Sequence, residues 1–138
     1  MTQFRYWHTA ALLNNGKVLL TRGINGDSVQ DTELFDPTTK FSHAGPMGSP
    51  RANHTATSLD DDTVLVVGGF SFATPSGTFA TVDVFDTATN LFTPTGRLGT
   101  ARFLHTATRL NNGQVLITGG QLRTNPTPLY LNSAELYK

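Results

Sequence analysis

The sequence predicts an all-β chain built from three repeats, and three observations carry that expectation. A segment Arg-x-x-His-Thr-Ala occurs three times, as RYWHTA from Arg5, RANHTA from Arg51 and RFLHTA from Arg102. Acidic segments follow in step: ELFD (Glu33 to Asp36), DVFD (Asp83 to Asp86) and ELYK (Glu135 to Lys138). The histidines stand 46 and 51 residues apart and the acidic segments 50 and 52. No stretch offers a long 3.6-residue period with caps, so essentially no helix is expected. Four short antiparallel strands recurring at a period near fifty residues are the signature of β-propeller blades.

Each unit spells out its strands in order. In the third, HTATRL alternates, Asn111 to Gly113 supply a tight hairpin, and QVLITGG is an apolar run ending in Gly119 and Gly120. The second has the equivalent run TVLVVGG, ending in Gly68 and Gly69. Such a run lacks a polar face, so it predicts a strand covered on both sides by stacked sheets. The paired glycines suit backbone that turns sharply or passes close to another segment. The third strand is TVDVFD in the second unit and TELFD in the first. Turns rich in Asp, Thr and Asn, such as DTATN, can hydrogen-bond their own backbone and lead to a fourth strand, LFTPTG or FSHAG. The expected units span about 5–46, 51–97 and 102–138, and the last lacks sequence for an outer strand.

RANHTATSLDDDTVLVVGG and VDVFDTATNLFTPTGRL resemble kelch repeats, in particular the bacterial kind related to the central propeller of galactose oxidase. The resemblance implies that the Arg-x-x-His strand is innermost, the double-glycine strand second and the acidic strand third. It implies an outer strand carrying Phe41 and Phe92 where many kelch repeats have tryptophan. The first unit departs from it with Arg22-Gly23 in place of Gly-Gly, which predicts an exposed or functional side chain at Arg22.

Composition narrows the function classes. A chain of 138 residues is one ordinary domain. Ten basic residues balance ten acidic ones with no basic run, so neither nucleic acid nor an anionic membrane is an expected partner. The absence of cysteine excludes disulfide frameworks, thiolate metal sites and cysteine nucleophiles. It also excludes the tyrosine–cysteine cross-link that the resemblance to galactose oxidases would imply. No apolar run approaches a membrane span and MTQFRYWHTAALL does not read as a secretory signal, so a complete chain would be cytoplasmic.

His8, His54 and His105 invite a metal reading, but each belongs to a different unit, too far apart to share one ion at ligand distances near ~2 Å. They read instead as repeat residues bonded to a neighbouring strand, with no metal, cofactor or catalytic residue expected. Arg5, Arg51 and Arg102 with Glu33, Asp83 and Glu135 form a second symmetric set, expected to pair within or between units and fix register. The acidic tip Asp60 to Asp62 reads as a solvated turn rather than a calcium loop. Ligand-binding residues are expected where the repeat is broken, on the rim loops: Arg22, Asn25, Phe70, Phe72, Phe79, Arg123 and Tyr130.

Three blades cannot close a ring, which would leave two apolar faces exposed, assigned to residues such as Val18, Leu20, Val115 and Ile117. The expectation is therefore a half-propeller closed to six blades as a homodimer. It would act as a non-catalytic binding or scaffold module for a protein, peptide or carbohydrate. The alternatives are a fragment of a larger galactose oxidase-like enzyme completed elsewhere, and a repeat protein with no evolved ligand.

Overall fold

The computed structural model of the chain describes residue 1 and residues 4–24, 32–73 and 77–138. Among them are thirteen strands and no helix. The first sheet holds β1 (Thr9–Leu12), β2 (Val18–Thr21), β3 (Thr32–Asp36) and β4 (Lys40–Ala44), and the second β5 (Thr55–Ser58), β6 (Thr63–Val67), β7 (Thr81–Asp86) and β8 (Leu91–Arg97). Both are antiparallel and run in chain order across the sheet. The third sheet has three strands, β9 (Thr106–Arg109), β10 (Val115–Thr118) and β13 (Ala134–Tyr137), in the order β13-β10-β9. Between β10 and β13 the chain makes a separate small hairpin, β11 (Gln121–Leu122) with β12 (Leu129–Tyr130), where the sequence suggested only a loop.

The turns form for the reasons the sequence gives. At the first hairpin Leu13 N–H bonds Lys17 O at 2.8 Å and Gly16, with φ +79°, closes the turn; Leu110, Gly113 and Gln114 repeat this in the third sheet. The Asp36 carboxylate accepts the Thr38 and Thr39 N–H groups, and Asp86 accepts those of Ala88 and Thr89. Short side-chain acceptors thus replace backbone partners that a tight turn cannot supply. Beyond each turn an aromatic pair locks third strand to fourth, Phe35 with Phe41 and Phe85 with Phe92, at centroid distances of 5.0 and 4.9 Å.

The sheets stack face to face, and β6 lies between two cores. Val64 and Val66 point to the first sheet, joining Ala11, Leu13, Leu19, Leu34, Met47 and Phe85. Leu65 and Val67 point the other way, joining Val82, Leu98, Val115 and Ile117. All four β6 side chains are fully buried, each contributing about 1.5–3 kcal/mol of apolar burial. The unbroken apolar run thus forms because both faces of one strand are covered.

The same alternation corrects the assignment of the open faces. Val115 and Ile117 are fully buried against the second sheet. Because side chains alternate along a strand, the outward residue of β10 is Leu116, paired in register with the exposed Leu136 of β13. On the first sheet Val18 and Leu20 do lie outward, opposite in phase to buried Leu19.

Candidate functional site

Two groups of side chains form around these sheets, one repeated and one not. The repeated group starts with three ion pairs inside the sheets: Arg5 with Glu33 at 2.6 Å, Arg51 with Asp83 at 2.8 Å and Arg102 with Glu135 at 2.7 Å. Each joins the segment entering the first strand of a sheet to the start of its third strand. Arg51 also donates to the carbonyls of Gly68 and Thr81, and Arg102 to those of Gly119 and Ser133, so each guanidinium ties the end of the second strand to the third. Burial raises the Glu135 carboxyl, but the N–H groups of Gly99 and Thr100 and the Arg102 guanidinium hold it below the ordinary carboxylate range. Each arginine is thus engaged by its own carboxylate, with Glu33, Asp83, Arg51 and Arg102 buried and Glu135 partly exposed, which is the arrangement of a structural pair.

The histidines join sheet to sheet. His54 Nε2 lies 2.7 Å from the Thr21 hydroxyl and 3.1 Å from that of Thr9, themselves 2.6 Å apart in the preceding sheet. His105 Nε2 bonds Thr55 at 3.0 Å in the same way; the second hydroxyl is missing there because Val67 occupies the position of Thr21. Burial pushes the His54 imidazolium down to about 3, helped by the charge of Arg51, and His105 down to about 4, helped by Arg102. Both rings are neutral and covered at pH 7, which makes them joints rather than acid–base groups. Among the described residues no three His, Asp or Glu side chains converge on a metal-sized site.

The acidic hairpin tip is the solvent-exposed turn the sequence suggests, and its carboxylates also make surface contacts. Asp60 pairs with Arg109 of the third sheet and Asp62 accepts from Asn14 of the first at 2.8 Å. Asp61 takes the Thr63 N–H and hydroxyl, stabilising its own turn. The tip therefore touches both neighbouring sheets through exposed side chains, which contribute little to stability.

The second group sits at the end of the sheets opposite the hairpin tips, where the approach to each first strand runs beside the exit of each second strand. Isolated bridges mark it: Tyr6 with Ile24, Ala52 with Phe70 and Phe103 with Gln121. Here the variable positions of Arg-x-x-His place Tyr6, Trp7 and Leu104 at the surface and Asn53 and Phe103 half-buried, whereas Ala52 is fully buried. Trp7, Asn53 and Leu104 share a left-handed backbone, with φ of 58°, 51° and 54°, and Asn53 N–H bonds Trp7 O while Leu104 N–H bonds Asn53 O. A bulky residue at positive φ is uncommon. Recurrence at one position of all three units assigns it to the sheet-to-sheet ladder.

Around this ladder the aromatic rings form a continuous platform across three sheets. Tyr6 meets Trp7 edge-on at 4.9 Å, Trp7 approaches Phe70 at 6.4 Å, and Phe70 contacts Phe72 at 4.6 Å and Phe103 at 5.1 Å. Arg123 lies 5.7 Å over the Phe72 ring and donates its backbone N–H to Thr78 Oγ1. Trp7 is 48% and Phe72 64% exposed, so the platform offers open ring surface on a buried base. The segment between β11 and β12 bounds an open depression of about 420 Å³ lined by Arg123, Thr124, Asn125 and Pro126.

Of the rim residues read from the sequence, Phe72 and Arg123 stand exposed in this platform. Phe70 is not exposed: it is buried at the centre of the stack as its base. Arg22 is also corrected, being 1% exposed, with φ +26°. It replaces a glycine that in the second sheet, at Gly68, has φ +60° and room for no Cβ, since one would fall 2.4 Å from Arg102 O. The position faces the next sheet rather than the rim, so the Arg22 charge bears on His54 instead of on solvent. Phe79 is half-buried beneath Arg51, 5.0 Å from its guanidinium. Tyr130 is 77% exposed on β12 but outside the stack, and Asn25 lies outside the described residues. Tyr6, Trp7 and Phe103 were missed, although the x-x pairs YW, AN and FL are where the repeated segment varies most. No protein-family model matches the chain, and no curated protein matches it.

Proposed function

We propose that the chain is a non-catalytic binding module, built from three kelch-like propeller blades that a second copy closes into a six-bladed ring, and that its rim platform takes a protein or peptide ligand. The observation that carries this reading is the platform of Tyr6, Trp7, Phe70, Phe72 and Phe103 beside Arg123. Aromatic and arginine side chains are the usual anchors of interfaces, and a buried base holds them at little entropic cost. The burial of His54, His105, Arg51 and Arg102 supports a frame rather than catalytic equipment. Exposed Trp7 and Tyr6 ring surface favours carbohydrate as the second reading, since a pyranose ring stacks on such faces.

The test is a random peptide display library and an oligosaccharide array, each applied to the wild type and to Trp7→Ala/Phe72→Ala. Peptides retained by the wild type and at least ~10-fold weaker on the variant, a loss of about 1.4 kcal/mol, are expected. Enrichment only on the oligosaccharide array would move the reading to carbohydrate. Ligands that bind both proteins equally would overturn the platform as the site.

A further inference from the structure

The two outermost sheet faces are the unmatched halves of a joint the chain already makes twice. Towards the next sheet, the first sheet presents the Thr9–Thr21 hydroxyl pair above Leu13, Leu19 and Leu34, all buried under the second. The corresponding face of the third sheet presents Thr106 and Thr118, 2.7 Å apart, with Leu110, Leu116 and Leu136. That set is left open, with Leu136 53% exposed. Towards the preceding sheet, the second sheet offers His54, Val64, Val66 and Phe85, and the third offers His105, Val115, Ile117 and Tyr137. The first sheet carries the same set, His8, Val18, Leu20 and Phe35, with nothing against it among the described residues. The backbone ladder stops in the same two places: the Trp7 carbonyl and Leu104 N–H are bonded, leaving Trp7 N–H and the Leu104 carbonyl as its ends. Met1, four residues before Arg5 as Met47 and Leu98 are before Arg51 and Arg102, is half exposed where those two are buried between sheets.

We infer that two copies join head to tail, with His8 of one copy seated on the Thr106–Thr118 hydroxyl pair of the other, as His54 is seated on Thr9 and Thr21. The inference rests on the homodimeric ring proposed above and names its junction. The occupant is a second copy because each open face matches the face the chain itself docks at the corresponding internal joint. A two-hydroxyl seat distinguishes this junction from the His105 joint, whose seat has valine in place of one threonine. Leu116 lies under the Val18 and Leu20 surface of the other copy, and the Leu104 carbonyl accepts its Trp7 N–H. The contact is heterologous and repeats twice around a two-fold axis, so it closes rather than polymerises.

The test is sedimentation equilibrium of the wild type, Leu116→Asp, His8→Ala, Thr118→Val and the double variant His8→Ala/Thr118→Val, with circular dichroism to verify folding. The expected results are a wild-type dimer, a folded monomer for Leu116→Asp, and dimers about 10-fold weaker for His8→Ala, with the double variant weaker by less than the product of the two single effects. Should Leu116→Asp not fold, Leu136→Asp at the exposed edge strand replaces it. A monomeric wild type would overturn both the ring and its junction. A wild-type dimer that Leu116→Asp and Leu136→Asp leave intact, or single effects that multiply fully, would overturn the junction while leaving the dimer standing.

Discussion

The repeated frame and the rim of these sheets are made from the same short segments, yet they use side chains in opposite ways. At Arg-x-x-His the arginine and histidine turn inward, to Glu33, Asp83 and Glu135 or to threonines of the preceding sheet. The x-x residues between them supply Tyr6, Trp7 and Phe103 to the platform. One hexapeptide therefore both fixes a sheet and displays a surface. A repeated polar residue solves a repeated burial problem, whereas the positions that differ reach solvent in the first and third units and bury the small Ala52 in the second. Arg22 limits the lesson: it breaks the repeat and is nevertheless buried, because its position faces the next sheet.

The largest effect should come from breaking the frame. Arg51→Ala leaves the Asp83 carboxylate buried without its cation and frees the Gly68 and Thr81 carbonyls, so a loss of about 3–5 kcal/mol in urea unfolding is expected. A loss below ~1 kcal/mol would show that the pair is not part of the frame. Acid is the next probe. His54 and His105 titrate near 3 and 4 in the folded chain but near 6.5 when unfolded, so the unfolded state binds more protons between those values. Stability is full above pH 6.5 and falls as pH drops below it, by about 2 kcal/mol per histidine at pH 5. A urea midpoint unchanged between pH 7.5 and pH 5 would contradict this.

The strands and their order were legible because period-two alternation, turn residues and a fifty-residue period all agree, from HTATRL through NNG to QVLITGG. Which face each side chain takes was less so. Val115 and Ile117 were read as outward because an apolar run on a strand buried on both sides carries no phase; only contact with Leu65 and Val67 sets it. The β11–β12 hairpin was hidden because strands of two residues give no alternation to read. The platform was half legible: Phe72 and Arg123 lie in loops that break the repeat, whereas Trp7 and Phe103 sit inside the repeated segment, where only the fold separates inward from outward positions.

The two inner joints sharpen the comparison at smaller scale. His54→Ala removes a ring held by two hydroxyls and His105→Ala one held by a single hydroxyl, so the former should destabilise more, by about 1 kcal/mol, in thermal unfolding. Equal losses would mean that packing, not hydrogen bonding, dominates the joint. The smallest effect belongs to the rim: Phe72→Ala should leave stability within about 0.5 kcal/mol while reducing ligand retention. A loss above ~2 kcal/mol would make Phe72 part of the frame.

The most direct measurement is the mass of the wild-type protein in solution by light scattering at micromolar concentration. The proposed half-ring, closed by a second copy, predicts about twice the 14.9 kDa chain mass. A folded species at the mass of a single chain, stable across that range, would contradict it.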